Sequence, residues 1–126
     1  MKVGFTTITV RDLEKSVTFY TKILKLHELQ RFSPHKGIKI VFLRDKENGK
    51  IELIEYEQMK EIDVSKEASI VSIGFVVEDL DATINMLRKK NVEIIRGPIQ
   101  TPSGAKFIFI NDPDGVEIEL IQDFDI

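Results

Sequence analysis

The sequence predicts an α+β fold made of two tandem βαβββ modules. Three observations support this prediction: an internal repeat, the same order of strand and helix patterns in both halves, and a hairpin turn at the same place in each half. A repeat at one fixed spacing indicates that one structural unit is used twice. The halves align without a gap at an offset of 67 residues, with these identical pairs: Val10/Val77, Asp12/Asp79, Leu13/Leu80, Lys22/Lys89, Gly37/Gly104, Lys39/Lys106, Phe42/Phe109, Asp45/Asp112 and the block Ile51–Ile54 against Ile118–Ile121.

The first module is predicted to span residues 3–56 and to begin with a strand. Residues 3–11 alternate in polarity, as a half-buried strand does. The residues that share one face are Ile8 and Val10, and those that share the other are Phe5, Thr7 and Thr9.

A helix and three further strands follow in this module. Asp12 caps the helix, because its carboxylate can accept hydrogen bonds from the free amides of the first turn. The apolar residues of one helix face recur at helical spacing; they are Leu13, Val17, Tyr20 and Leu24. The later strands are predicted near 27–33, 38–45 and 50–56. The pair Asn48-Gly49 indicates a hairpin between the last two strands.

The second module is predicted over residues 69–123 with the same elements. Asp79 or Asp81 caps its helix, which ends near Asn91. The apolar residues on the core face of that helix are Leu80, Ile84 and Leu87. The strands are predicted at 69–78, 92–96, 105–110 and 116–122, with a turn at Asn111–Gly115 before the last one. The polar and charged residues 57–68 are predicted to link the modules within one domain, residues 1–126.

Composition excludes several classes of function. A net charge of −3 and a pI near 5.4 argue against nucleic acid as a partner, since phosphate binding needs a basic surface. The lack of cysteine excludes disulfides, thiolate zinc sites and cysteine nucleophiles. The sequence shows neither a signal peptide nor an apolar run long enough for a membrane span. We therefore expect a soluble, cytoplasmic protein.

Two segments resemble motifs of a known superfamily. Residues 10–20, Val-Arg-Asp-Leu-Glu-Lys-Ser-Val-Thr-Phe-Tyr, are similar to the strand-to-helix motif V-x-D-L-x-x-S-x-x-F-Y. Residues 111–120, Asn-Asp-Pro-Asp-Gly-Val-Glu-Ile-Glu-Leu, are similar to the closing motif D-P-D-G-x-x-I-E-L. With the internal repeat, the chain resembles the vicinal oxygen chelate superfamily, which includes glyoxalase I, bleomycin-resistance proteins and dioxygenases.

The resemblance implies that the two modules form curved sheets around a cup-shaped site, often in a homodimer whose chains share each site. In metal-using relatives four side chains point into the cup, one from the first strand and one from the last strand of each module. The last-strand positions match Glu52 and Glu119. The first-strand positions, which are usually histidine in glyoxalase-like members, match Phe5 and Ser72.

Strand alternation independently places Glu52 and Glu119 on the sheet face away from their isoleucine and leucine neighbours. If those neighbours face the helix, the carboxylates face the cup, where they are candidate catalytic bases and weak metal ligands. The alternative is that both glutamates are solvated outer-face residues. The further candidates for ligand contact are Phe5, Thr7, Ile54, Tyr56 and Ser72, although apolar residues of this kind more often pack in a core.

A tight nickel or zinc site is not expected at the four positions Phe5, Glu52, Ser72 and Glu119. Such ions take about four ligands or more, and imidazole supplies much of the affinity. The phenyl ring of Phe5 has no atom that can act as a metal ligand, and the hydroxyl of Ser72 is a weak ligand. The expected cofactor is therefore none, or a weakly bound divalent metal completed by water and substrate oxygens. His27 and His35 are expected to be exposed loop residues, with His35 a minor candidate for ligand contact.

Three functions remain open at this point. The first is a metal-poor protein that binds a small molecule. The second is a lyase or isomerase, of the lactoylglutathione lyase or acyl-CoA epimerase type, that uses the two glutamates with a weakly held metal. The third is a scaffold whose cup is filled by its own side chains. Two carboxylates facing one cup predict either a proton shared between them or an offsetting cation, on the ligand or on Lys39, Arg44 or Lys106.

Overall fold

The computed structural model describes residues 3–59 and 71–124. The chain divides into two compact units, Met1–Val64 and Ser65–Ile126, and each contains one four-stranded mixed sheet. The α+β class and the two βαβββ modules are therefore confirmed. Of the predicted linker 57–68, residues 57–59 form a 3₁₀ turn, and the rest lies outside the described residues. In the described part of the chain, no helix is long and apolar enough to cross a membrane.

The first module contains four strands and one helix. The strands are β1 (Thr6–Val10), β2 (His27–Phe32), β3 (Ile38–Arg44) and β4 (Lys50–Tyr56). Helix α1 (Leu13–Thr18) continues into a π-helical turn, Phe19–Ile23. The strand order is β1-β4-β3-β2, with β1 parallel to β4 and the other neighbours antiparallel.

The second module repeats this arrangement. Its strands are β5 (Ser72–Val76), β6 (Arg96–Gln100), β7 (Lys106–Asn111) and β8 (Glu117–Gln122), and its helix is α2 (Leu80–Lys89). The strand order is β5-β8-β7-β6, again with the first and last strands parallel. The repeat in the sequence is thus a repeat in topology.

The predicted cap of the first helix is confirmed, and of the two candidates for the second helix Asp79 is the cap. The Asp12 carboxylate accepts a hydrogen bond from the Lys15 amide at 3.1 Å, and the Asp79 carboxylate accepts one from the Ala82 amide at 3.0 Å. Each bond satisfies an amide that has no partner inside its helix. Asp12 therefore sets where α1 begins, and Asp79 sets where α2 begins.

The last strand of each module also holds the start of the helix. The buried Glu55 carboxylate accepts a hydrogen bond from the Leu13 amide at 2.7 Å. The equivalent Gln122 side chain accepts one from the Leu80 amide, also at 2.7 Å. These bonds place the helix on the sheet face that carries residues 55 and 122. That face forms the core, whose fully buried side chains include Val10, Tyr20, Val41, Leu43, Leu53, Leu80, Leu87, Ile108, Ile110, Ile118 and Leu120.

The first helix departs from the prediction after Thr18. The π-helical turn shifts the later residues around the axis, so Leu24, which we expected in the core, is only half-buried. Leu26, beyond the turn, is buried to 6% exposure instead. A π turn places more residues in a turn than an α-helix does, and α-helical spacing therefore mispredicts the residue that faces the core.

The prediction of a strand near 92–96 is wrong. Residues 92–95 form no strand, and β6 instead runs through Gly97-Pro98 to Gln100. Gly97 has a φ of +97°, and the pairing register with β7 shifts between Arg96 and Ile99. Proline is accepted here because β6 is an edge strand, so no neighbouring strand needs its missing N–H.

Candidate functional site

Each sheet has one face packed against its helix and one face turned away from it. In β4 the helix-bonded Glu55 shares its face with Ile51 and Leu53, so Glu52 points to the opposite side. In β8, Ile118 and Leu120 share the helix side with Gln122, and the same alternation places Glu119 on the other side of the sheet. The predicted orientation of both glutamates is therefore confirmed. We name the sheet surface away from the helix the open face of its module.

The open face of the first module carries a row of three aromatic rings. Phe5 contacts Phe42 edge-on, with ring centroids 5.5 Å apart, and Phe42 stacks with Phe32 at 6.3 Å. Phe5 is 51% exposed and Phe32 is 38% exposed, so these rings are not buried in a core. We name Phe5, Phe42 and Phe32 the aromatic row. It forms an apolar surface with fixed ring orientations.

Glu52 lies beside the aromatic row and is held by a neighbouring strand. Phe42 is its antiparallel partner and Thr7 is its parallel partner. The Thr7 hydroxyl donates a hydrogen bond to the Glu52 carboxylate at 2.9 Å. Ile54 and Tyr56 continue the same face of β4; Ile54 is buried and Tyr56 is half-buried. The structure thus brings together the predicted ligand contacts of the first module.

The open face of the second module has a different composition. Glu119 pairs with Gly74 on one side and with Phe109 on the other. The Arg96 guanidinium lies over the Phe109 ring, 4.1 Å from its centroid, and forms an ion pair with Glu117. A guanidinium over an aromatic face is attracted by the ring quadrupole. Phe109 also contacts Phe107 edge-on, with ring centroids 5.7 Å apart, so this face combines two aromatic rings with a cation.

Ser72, the remaining predicted ligand contact, lies at the start of β5. It pairs with Glu117, is exposed, and is two residues from Gly74 on the same face. Sequence reading missed Arg96 as a site residue because it was placed at the end of a strand that the structure does not form. It also missed Gly74, although a glycine within a strand pattern is itself a signal of a close approach.

Arg96, which lies beside Glu119 on the open face of the second module, is not one of the cations predicted to offset the two glutamates. Lys39 pairs with Glu55 and Lys106 pairs with Gln122, so both lysines lie on the helix side of their sheets. Arg44 is on the open face, where its guanidinium donates to the Asp45 carbonyl at 3.1 Å. Elsewhere in the first module, hydrogen bonds to Glu28 and to Glu14 raise the pKa of Arg31 above its usual range.

The donors on the open faces do not fit a tight transition-metal site. Within neither module do three His, Asp or Glu side chains of the described residues gather closely enough to hold a metal ion. Glu52 has a threonine hydroxyl and a phenyl ring as neighbours, and Glu119 has a glycine and a phenyl ring. None of these neighbours is a strong ligand for nickel or zinc.

Comparison with known proteins identifies the family. A family model described as the Glyoxalase/Bleomycin resistance protein/Dioxygenase superfamily matches residues 2–120. The chain belongs to this superfamily. A probable lactoylglutathione lyase of Synechocystis sp. is 34% identical to it, over 93% of this chain and 92% of the relative. The superfamily predicted from the two motifs is thus confirmed.

Solved structures of the superfamily share the fold. The trypanothione-dependent glyoxalase I of Leishmania major matches with a TM-score of 0.78 and 28% identity, over 98% of this chain and 87% of that one. TnmS3, an antibiotic binding protein from Streptomyces sp. CB03234, matches with a TM-score of 0.75 and 22% identity, over 97% and 95%. Proteins named as enzymes and as binding proteins therefore occur on this fold. The homodimer, the cofactor and the cytoplasmic location of this member stay predictions.

Proposed function

We propose that this member of the superfamily binds a small organic molecule on the open face of its first module, without a tightly held metal ion. The observation that supports this is the environment of Phe5. It occupies the position that is usually histidine in glyoxalase-like members, contacts Phe42 edge-on at 5.5 Å, and remains half-exposed. A phenyl ring at that position removes a metal ligand and adds apolar contact surface.

The aromatic row and Glu52 together suggest the class of ligand. The row offers an apolar surface to an aromatic or aliphatic body. Glu52, oriented by Thr7, can accept a hydrogen bond from an ammonium or another donor group, and bonds to a charged group are the stronger ones. We therefore propose an aromatic or apolar ligand with one cationic group. Ile54 and Tyr56 continue this face of β4 and would also contact it.

The chain contains no tryptophan, so an indole probe can be excited without exciting the protein. Tryptamine, tryptophol and indole-3-propionate carry an ammonium, a hydroxyl and a carboxylate on the same ring. In fluorescence anisotropy titrations we expect tryptamine to bind most tightly and indole-3-propionate least. Failure of all three probes to bind would contradict the proposal, as would stoichiometric nickel or zinc retained after mild chelation.

Phe5→Ala is expected to weaken tryptamine binding about tenfold, because one aromatic contact contributes about 1.4 kcal/mol. The folded fraction should not change, since Phe5 lies outside the core. The matched control is Phe124→Ala, which removes a ring of similar exposure, 47%, from the other module. Equal binding by the two variants would show that the aromatic row is not the binding surface. Anisotropy titration of both variants measures the difference.

A second candidate function is a lyase or isomerase. Two observations favour it: a relative 34% identical is named probable lactoylglutathione lyase, and both modules keep a glutamate at the same open-face position. In such a reaction a carboxylate would take a proton from the carbon next to a carbonyl. Isomerisation of a hemithioacetal returns this proton to the carbonyl carbon while the hydroxyl proton moves to the carbonyl oxygen, and epimerisation returns it to the opposite face of the same carbon; neither needs a co-reactant. A weakly held divalent ion could be added from solution to support it.

If the protein is such an enzyme, Glu52→Gln or Glu119→Gln is expected to lower kcat about 100-fold or more, the usual contribution of a general base. The assays are conversion of the hemithioacetal of methylglyoxal and epimerisation of a 2-methyl-branched acyl thioester, each with added magnesium, manganese or nickel. Glu14→Gln, an exposed glutamate on α1, is the control. Activity that survives both site substitutions would exclude these catalytic roles.

A further inference from the structure

The turn between β3 and β4 contains the dipeptide Asn48-Gly49. An asparagine followed by glycine is chemically labile, because the next amide nitrogen can attack the side-chain carbonyl carbon and glycine has no side chain to hinder the attack. Of the four asparagines in the chain, only Asn48 precedes a glycine. Asn48 is exposed, and its φ of +69° lies in the left-handed region. One asparagine of the chain therefore has a reactive neighbour.

Asp45 holds Gly49 at both its amide and its carbonyl. The Asp45 carboxylate accepts a hydrogen bond from the Gly49 amide at 2.7 Å, and the Asp45 amide donates to the Gly49 carbonyl at 2.9 Å. The same carboxylate accepts from the Glu47 amide at 2.8 Å. A β-carbon on residue 49 would collide with the carboxylate in this position. Asp45 thus favours a glycine after Asn48 and also holds the nitrogen that would attack it.

We propose that Asn48 is a deamidation site and that Asp45 keeps the reaction slow in the folded chain. The Gly49 nitrogen forms a bond to the side-chain carbonyl carbon of Asn48 and loses its proton, and the side-chain amide leaves as ammonia. Water then opens the resulting succinimide at either of its carbonyl carbons, which gives aspartate or isoaspartate at residue 48. One water is consumed for each ammonia released, and no oxidant or reductant takes part.

Two properties of the turn oppose this reaction. The nitrogen attacks as it gives up its proton, and the Asp45 carboxylate beside it disfavours a second negative charge. Cyclisation also requires Gly49 to turn toward the Asn48 side chain, which breaks its bonds to Asp45. The reaction therefore proceeds from locally opened turns, and the population of these turns depends on how strongly Asp45 holds the closed form.

The second module forms the same turn without a labile asparagine. Asp112 accepts hydrogen bonds from the Asp114 and Val116 amides at 2.8 Å. The residue equivalent to Asn48 is Gly115, whose φ of +90° is also in the left-handed region. Glycine therefore meets the backbone requirement of this turn. Asn48→Gly should keep the turn closed while it removes the reactive side chain.

Deamidation of the full chain can be followed during incubation in mildly alkaline buffer. Chymotryptic digestion with mass spectrometry locates the change from amide to carboxylate, and chromatography separates the aspartate and isoaspartate products. We expect Asp45→Ala to deamidate at residue 48 about tenfold faster than the unmodified protein, because its turn opens without breaking hydrogen bonds to a charged acceptor. The unmodified chain in urea should react at least as fast as this variant.

Three controls separate the parts of the proposal. Asn91 is exposed and has a φ of +58°, but Val92 follows it, so in urea it should deamidate more slowly than Asn48. Asn48→Gly should fold and should lose most of the deamidation that the intact chain shows. Asp45→Ser keeps a neutral acceptor that can close the turn, and should react at a rate between those of the unmodified protein and Asp45→Ala.

Equal rates at residue 48 in the folded protein, in folded Asp45→Ala and in urea would show that Asp45 gives no protection. A slower rate in Asp45→Ala would mean that the carboxylate acts as a base for the attacking nitrogen, which is the opposite role. No deamidation of Asn48 in urea would exclude the site itself. If circular dichroism shows that Asp45→Ala does not fold, Asp45→Ser decides between these outcomes. None of them depends on the proposed binding function.

Discussion

Replacing both Phe5 and Ser72 by histidine is expected to give a protein that retains about one nickel or zinc ion per chain after gel filtration in mild chelator. The unmodified protein is expected to retain none. The resemblance to metal-using relatives implies that these positions point into one site with Glu52 and Glu119. Two imidazoles and two carboxylates would supply the four ligands that such an ion needs. Elemental analysis of the purified variants measures the metal.

The controls for the metal experiment isolate each ligand. Phe5→His or Ser72→His alone should bind metal more weakly than the double variant, because each leaves one ligand position without a strong donor. Adding Glu52→Gln to the double variant should also weaken retention. A double-histidine variant that folds but retains no metal would show that the four positions do not form one site. The hypothesis that Glu52 and Glu119 act together as catalytic bases or metal ligands would then lose its main support.

Leu53→Ala and Leu120→Ala are each expected to lower the free energy of unfolding by about 2–5 kcal/mol, the usual effect of removing a buried leucine side chain. Leu53 is fully buried and Leu120 is 2% exposed, and they hold equivalent positions on the helix side of β4 and β8. The loss includes both the transfer of apolar atoms and the cavity that remains. Urea unfolding followed by circular dichroism measures it.

The neighbouring glutamates provide the contrast for this experiment. Glu52→Ala and Glu119→Ala alter side chains on the open faces, which the helices do not cover, and should change the free energy of unfolding by about 0.5 kcal/mol or less. Glu52→Ala should have the larger effect of the two, because Thr7 loses its acceptor. Losses as large as those of the leucine variants would mean that the glutamates serve the fold, which would favour the scaffold hypothesis.

The residue pairs kept by the repeat have identifiable physical roles. Asp45 accepts hydrogen bonds from the Glu47 and Gly49 amides at 2.8 and 2.7 Å, and so closes the turn before β4. Asp112 accepts from the Asp114 and Val116 amides at 2.8 Å and closes the equivalent turn before β8. Asp12 and Asp79 cap the helices in the same equivalent way. These identities therefore concern the fold, whereas Glu52 and Glu119 close no turn and cap no helix among the described residues.

Some of the pairs that the repeat does not keep concern the open faces. Phe5 and Ser72, Thr7 and Gly74, and Leu29 and Arg96 are equivalent by the repeat but differ in chemistry. The first module thereby gains an apolar surface beside a carboxylate that accepts a hydrogen bond from Thr7. The second gains a paired guanidinium beside a carboxylate to which none of the described residues donates.

The sequence by itself determined the modules, the helix starts and the directions of Glu52 and Glu119. These depend on local signals: alternation with a period of two, a capping aspartate, and a turn with its own acceptor. They could be predicted because each signal acts within a few residues along the chain.

The tertiary structure alone decided the path of β6, the π-helical turn and the neighbours of each carboxylate. β6 passes through Gly97-Pro98 because it is an edge strand, and the strand order that makes it one is set by pairing between distant residues. The contacts of Phe5 with Phe42 and of Arg96 with Phe109 likewise join strands far apart in sequence. Alternation gives the face to which a side chain points, but cross-strand register decides what it meets there.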